Sequence, residues 1–218
     1  MKKNILFAVL MCWSLFLMAG KKDYFKSPKY LLGAVPEVDG VVTFQKNFSV
    51  TDKNEQQIYD VMLAYIKNSL IGNAIQFPKS EYTRIISEEK ENSTIVARID
   101  EYMTFHKMFF SLDRTRFRYL LSASVKGQKV SLIITQISYY YNEDMDGKNG
   151  VHYRAEEWIT DKAAVNKKGT KLYPRSGKFR RLTVDRTQEI FEGFMDALST
   201  MEVEEQVITK KRKGIIEE

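Results

Sequence analysis

Cysteine and histidine are nearly missing from this chain. It holds one cysteine, Cys12, and two histidines, His106 and His152. Cys12 lies in an apolar N-terminal run, so a chain cut after that run carries no thiol. Disulfides, thiolate nucleophiles, iron–sulfur clusters and cysteine-ligated zinc are excluded together. Two imidazoles are too few for a histidine-rich metal site. Neither has a serine or cysteine at a catalytic spacing, and no G-x-S-x-G or H-E-x-x-H occurs. Each reads as an exposed or hydrogen-bonded histidine. No cofactor is implied. A large charge excess is absent as well, since 34 Lys+Arg face 28 Asp+Glu. Without Lys2 and Lys3 the balance is 32 to 28, too even to argue for nucleic acid.

A long hydrophobic run is the next thing lacking. A bilayer span needs about 20 apolar residues, and Ile5 to Met18 falls short of that. With Lys2 and Lys3 before it, this run has the basic and apolar regions of a secretory signal. Ala19 and Gly20 are small, but Leu17 and Met18 leave the small-x-small cleavage rule half met. Lys21 stands where a lipoprotein would need cysteine. Residues 1–20 therefore read as a signal peptide, with an uncleaved anchor left open, and the chain is expected in the periplasm or cell envelope.

What is present suits one globular domain with tails: 218 residues, 44% hydrophobic and 12% aromatic. Residues 21–40 read as a linker and lead-in segment, 41–201 as the domain, and 202–218 as a charged, frayed tail. Val42, Phe44, Phe48 and Val50 alternate with polar residues, the period of a half-buried strand. Asp52 and Glu55 have capping-box spacing, and Ile58, Val61, Met62, Tyr65, Ile66 and Leu70 follow at helical intervals. Gly72 and Asn73 supply its stop. Strands follow through Ile85, through Ile95 to Phe105, and through Arg116 to Val125, where Phe117, Tyr119, Leu121 and Ala123 share one face. Gly127 marks a tight turn. Val130 to Tyr141 is apolar on both sides and reads as central. Residues 142–182 read as a long irregular loop with a short helix near Ala155 to Ile159. A second cap at Asp185 and Gln188 opens the last amphipathic helix. The fold class is therefore α+β, with two helices on one face of a single antiparallel sheet.

Several segments in this order resemble one family: Tyr30 to Phe44 (YLLGAVPEVDGVVTF), Ser111 to Tyr119 (SLDRTRFRY), Ala155 to Thr160 (AEEWIT) and Ser176 to Asp185 (SGKFRRLTVD). It is an exported family of Bacteroidetes-type bacteria, described as a domain of unknown function with a TATA-binding-protein-like (TBP-like) fold. The resemblance spans roughly residues 30–200. It implies the helix-on-sheet architecture but not DNA binding, because shared folds carry unrelated functions. It carries over no catalytic residues.

The long loop holds the main candidate site. Lys162, Lys167, Lys168, Lys171, Arg175, Lys178, Arg180 and Arg181 occur between 162 and 181 with no acidic residue among them. Tyr173 and Phe179 are interleaved, and Trp158 precedes. Such cations attract phosphate, carboxylate or sulfate, with aromatic faces adding stacking. Trp158, Lys171, Tyr173, Arg175, Arg180 and Arg181 are the proposed ligand contacts. The partner would be an envelope protein, an anionic glycan or a lipid headgroup. The plainer reading is a solvated loop whose arginines pair with Glu156, Glu157 and Asp185.

Other constellations are weaker. Asn142 to Gly147 matches the first half of a calcium loop, but Tyr153 stands where the bidentate carboxylate belongs. Glu101 falls on an apolar strand face and needs either a cation at the sheet edge or a cavity that raises its pKa. In Tyr139-Tyr140-Tyr141 the middle ring points opposite to its neighbours, toward an outer surface usable for binding. The functional expectation is an envelope binding or interaction module. The alternatives are a hydrolase or transferase whose carboxylates converge only in three dimensions, and a structural subunit with an exposed apolar patch.

Overall fold

A computed structural model of the chain describes residues 23–51, 53–72, 81–108, 111–142 and 150–216, with backbone alone at 107, 108, 111 and 200–216. The signal-type run, Asp52, Asn73 and residues 143–149 of the calcium-like loop lie outside the described residues.

One antiparallel sheet organises the domain. Its strands are β3 (Phe44–Ser49), β4 (Arg84–Glu89), β5 (Thr94–Met108), β6 (Ser111–Lys126), β7 (Lys129–Tyr141) and β8 (Val151–Arg154), in the order β3-β7-β6-β5-β4. β8 shares β7's outer edge with β3, β3 pairing with residues 129–134 and β8 with 138–141. A separate hairpin of β1 (Glu37–Val38) and β2 (Val41–Val42) turns through Asp39 and Gly40 at φ 51° and 77°, the backbone a two-residue hairpin demands.

β7 is central, and a bulge explains its apolar look on both sides. Arg118 pairs with Ser138 but Leu120 with Thr135, so Gln136 and Ile137 together face Tyr119. Gln136 takes φ 52°. The extra residue shifts the alternation: Val130, Leu132 and Ile134 are buried before it, Ile137 and Tyr139 after it.

The inner face packs under α1 (Glu55–Tyr65), extended by a π-helical stretch Ile66–Ile71, and under the long α4 (Pro174–Ile216). Ile58, Met62, Ile66 and Leu70 of the first helix meet Ile99, Phe117, Leu121 and Leu132 in one core with Ile190, Phe194 and Leu198 of α4. The cap of α1 is Asn54, not Asp52. Asn54 accepts from the Gln57 amide at 3.0 Å, and the Gln57 side chain accepts from the Asn54 amide at 2.9 Å. Glu55 instead accepts from Ser93 Oγ and the Gly127 amide, each at 2.6 Å, tying two hairpin turns to the helix start. Gly72 keeps right-handed helical φ and is no left-handed stop.

α4 starts twelve residues earlier than the cap at Asp185 predicts. Pro174 occupies its first position, where a missing amide costs nothing. Two short helices, α2 (Ala155–Trp158) and α3 (Asp161–Ala164), precede it. Its buried stripe reads Phe179, Thr183, Thr187, Ile190, Phe194 and Leu198. The two threonines hide the period because their hydroxyls are satisfied locally, Thr183 Oγ1 donating to Phe179 O and Thr187 Oγ1 to Val184 O. At the other end the backbone stays helical to Ile216, in place of the frayed tail, as its Glu and Lys content favours.

Candidate functional site

The basic loop divides in two once the start of α4 is known. Arg180 is wholly buried and is not available to a ligand. It donates from Nε to Tyr30 O at 2.6 Å, from a terminal nitrogen to Ile159 O at 2.7 Å, and from the other to Leu31 O and Asp161 Oδ1. Burial pulls its pKa down against the hold of Asp161. Its position on the inward side of α4's second turn forces this role, because carbonyls left open at the end of α2 and in the lead-in segment need a donor there. Residues 23–40, read as a linker and lead-in segment, are tied to the domain by hydrogen bonds although most of them are exposed. Tyr30 Oη donates to Asp185, and the Leu172 amide to Phe25 O.

Arg181 sits 3.5 Å from Asp185 and lies over the Tyr24 ring. Trp158 stacks on Tyr153 at 4.1 Å and meets the buried Phe179 edge-on. Phe179 also meets Tyr139, Tyr141 and Phe105, so the loop's aromatic residues mostly serve the core. Lys178 bonds Asp113 at 2.7 Å and Tyr141 Oη at 2.9 Å; burial opposes its charge, but these bonds hold its pKa above the usual value. Lys171, Tyr173 and Arg175 are exposed, as are Lys162, Lys167 and Lys168. Of the six proposed contacts, those three remain at the surface.

A second cationic surface lies on the opposite face of the sheet, the one the two long helices leave uncovered. Its centre is Asp100, whose side chain is completely buried. Arg116 donates to it from Nε at 3.1 Å and from a terminal nitrogen, and Arg118 from Nε at 2.8 Å. Arg118 lies 4.9 Å from the Tyr82 ring and 4.3 Å from the Tyr140 ring, Arg98 lies over Tyr82, and Arg114 lies 3.8 Å over Tyr102. Tyr140 meets His152 at 4.7 Å. Register makes the band continuous: Asp100 faces Arg118, Arg118 faces Ser138, and Ser138 faces Arg154. At the β4 edge Arg84 stands directly opposite Arg98, a like-charge pair that costs the sheet stability. The outward tyrosine is legible in the triple-tyrosine run. The arginines come from four strands, β4, β5, β6 and β8, and only the alternation of Arg114, Arg116 and Arg118 on β6 was a local signal.

Glu101 has its cation, and it comes from a helix. Arg186 grips both carboxylate oxygens at 2.9 Å, and Tyr119 Oη donates to one at 3.2 Å. Burial disfavours the Arg186 charge, but Glu101 more than offsets it and raises the pKa. Glu101, Asp185 and Glu189 line a cleft of about 110 Å³. Asp185 is engaged by Tyr30, Lys29 and Arg181. Three carboxylates thus meet there, but all are paired, Glu101 and Glu189 with Arg186 and Asp185 with Lys29 and Arg181.

Comparison with known proteins fixes the family. The signature of DUF4468, a domain of unknown function with TBP-like fold, matches residues 44–140. The crystal structure of a DUF4468 family protein from Bacteroides ovatus is 35% identical, with 82% of this chain and 96% of that one covered and a TM-score of 0.71. This chain belongs to the DUF4468 family. A TBP-like protein from Parabacteroides distasonis is 17% identical over 76% of this chain and 97% of its own, with a TM-score of 0.61, and shares the fold. No curated protein matches. The DUF4468 assignment bears out the sequence resemblance and the α+β, helix-on-sheet fold. No described helix is long and apolar enough to cross a membrane.

Proposed function

We propose that this DUF4468 protein is an exported envelope module that binds an anionic ligand on the open face of its sheet. One observation carries the reading. The Arg118 guanidinium is held on one edge by Asp100 and lies over both Tyr82 and Tyr140, so its orientation is set before any ligand arrives. Guanidinium groups fixed in this way grip carboxylate, sulfate or phosphate in bidentate fashion with little entropy left to lose. Arg84, Arg98 and Arg154 add charge around it, and the opposed Arg84–Arg98 pair is a strain that an anion would relieve. Export rests on the basic and apolar N-terminal run.

The exposed Lys171, Tyr173 and Arg175 are a second, smaller cationic patch, and one experiment separates the two. Binding to immobilised heparin would be measured for Arg84→Ala/Arg98→Ala/Arg154→Ala and for Lys167→Ala/Lys171→Ala/Arg175→Ala. The first triple is expected to weaken binding at least tenfold and the second by less than threefold. The reverse ranking would move the site to the loop.

A further inference from the structure

We infer that the open-face ligand is an extended acidic polysaccharide rather than a small anion. This rests on the reading that the open face binds, and it adds the class of ligand. The face changes character along its strands. Six residues beyond Arg118 on β6, about 20 Å at 3.4 Å per residue, lies a row of short polar side chains across four strands. Thr94 pairs with Ser124, Ser124 with Ser131, and Ser131 with Asn47. An open depression of about 620 Å³ covers this row, with Lys126 and Lys129 at its rim. Asparagine is depleted in strands, and short polar side chains bury little apolar surface, so the row adds little to the packing of this face.

Between the two ends, half-buried Val96, Leu120 and Ile133 share the outer face. The sequence of surfaces is therefore guanidinium, aliphatic, then hydroxyl and amide. A chain of sugar rings meets all three: acidic groups on the arginines, C–H faces on the aliphatic strip, hydroxyls on the serines and Asn47. At about 20 Å the span holds roughly four rings. Single-stranded nucleic acid would want bare aromatic platforms. Here Tyr82, Tyr102 and Tyr140 each carry a guanidinium against the ring.

The test is titration of the purified chain with galacturonate and heparin-derived oligosaccharides of two and four units, against inorganic sulfate, oligo-dT and phosphatidylglycerol vesicles. A four-unit acidic oligosaccharide is expected to bind at least tenfold more tightly than the two-unit one, and more tightly than oligo-dT or the vesicles. Ser124→Val/Ser131→Val should bring the four-unit ligand to the two-unit affinity while leaving the two-unit ligand unchanged. Asn47→Ala, at an exposed position, should act in the same direction and serves if the valine pair alters the melting curve. Equal affinity for both lengths, or preference for oligo-dT or vesicles, overturns the polysaccharide assignment while arginine dependence keeps the anion reading. Loss of arginine dependence for every probe overturns both.

Discussion

Arg180 donates to Asp161 at 2.6 Å from a fully buried guanidinium, and through that contact α4, α3 and the lead-in segment become one unit. The same group satisfies three backbone carbonyls, of Tyr30, Leu31 and Ile159. A residue type that almost always reaches solvent is here a structural rivet.

Replacing it should therefore damage the fold, not a binding site. Arg180→Met leaves those carbonyls without their donor and Asp161, which is partly exposed, with only the Gly33 amide; an unmet buried acceptor costs about 1–3 kcal/mol. Urea denaturation should show a loss of that size, with new protease cleavage between residues 23 and 36. A loss under about 1 kcal/mol would mean water replaces the guanidinium freely.

The contrast with Lys171 and Arg175 shows what the sequence could and could not reveal. The strands and α1 were legible because Phe117, Tyr119, Leu121 and Ala123 alternate and Ile58 to Leu70 keep a helical stripe; the family was legible only as a resemblance, in segments such as Ser111 to Tyr119 and Ser176 to Asp185. The start of α4 was not, since Thr183 and Thr187 stand where apolar residues were sought. A start at Asp185 leaves Arg180 and Arg181 in a loop, open to a ligand or to pairing with Glu156, Glu157 and Asp185, and Arg181 does pair with Asp185. The open-face band was illegible for a different reason. Arg98, Arg118 and Arg154 come together only through strand register, and the bulge at Gln136 sets that register.

Glu101 and Arg186 provide a second measurable coupling. Their two-point bond joins β5 to α4 in a half-buried setting. Hydrogen bonds to charged groups contribute about 1.5–3 kcal/mol. A double-mutant cycle with Glu101→Gln and Arg186→Met should return a coupling in that range. A coupling near zero would show that the pair is already broken in solution.

Stability should fall on the alkaline side. Burial raises the pKa of Tyr119, Tyr139, Tyr65 and Tyr30 above the usual value of 10.0, with Asp185 adding to the effect at Tyr30. The folded state thus keeps protons that the unfolded chain releases. The stability these groups contribute is full below about pH 10 and is lost as pH rises toward the folded values. Denaturant midpoints should drop steeply above pH 10, with part of the tyrosinate absorbance held back until the chain unfolds. Complete tyrosine ionisation before unfolding would contradict the burial. Tyr139→Phe should lessen the alkaline loss, at a cost of about 1 kcal/mol for its bond to Thr183.

Gly193 tests how closely the two long helices approach. A Cβ placed there would overlap the Tyr65 hydroxyl and stand 2.7 Å from the ring carbon bearing it. That ring is itself fixed against Phe194 at 4.6 Å, so it has little room to swing aside. Alanine gains about 1 kcal/mol of helix propensity over glycine, but overpacking a tight contact costs about 1–3 kcal/mol. Gly193→Ala should come out net destabilising in thermal melts. In a Tyr65→Ala background the same change should become stabilising, because the obstructing ring is gone and only the propensity gain remains. If Gly193→Ala stabilises the protein with Tyr65 in place, the helices are further apart at this crossing than their side chains indicate.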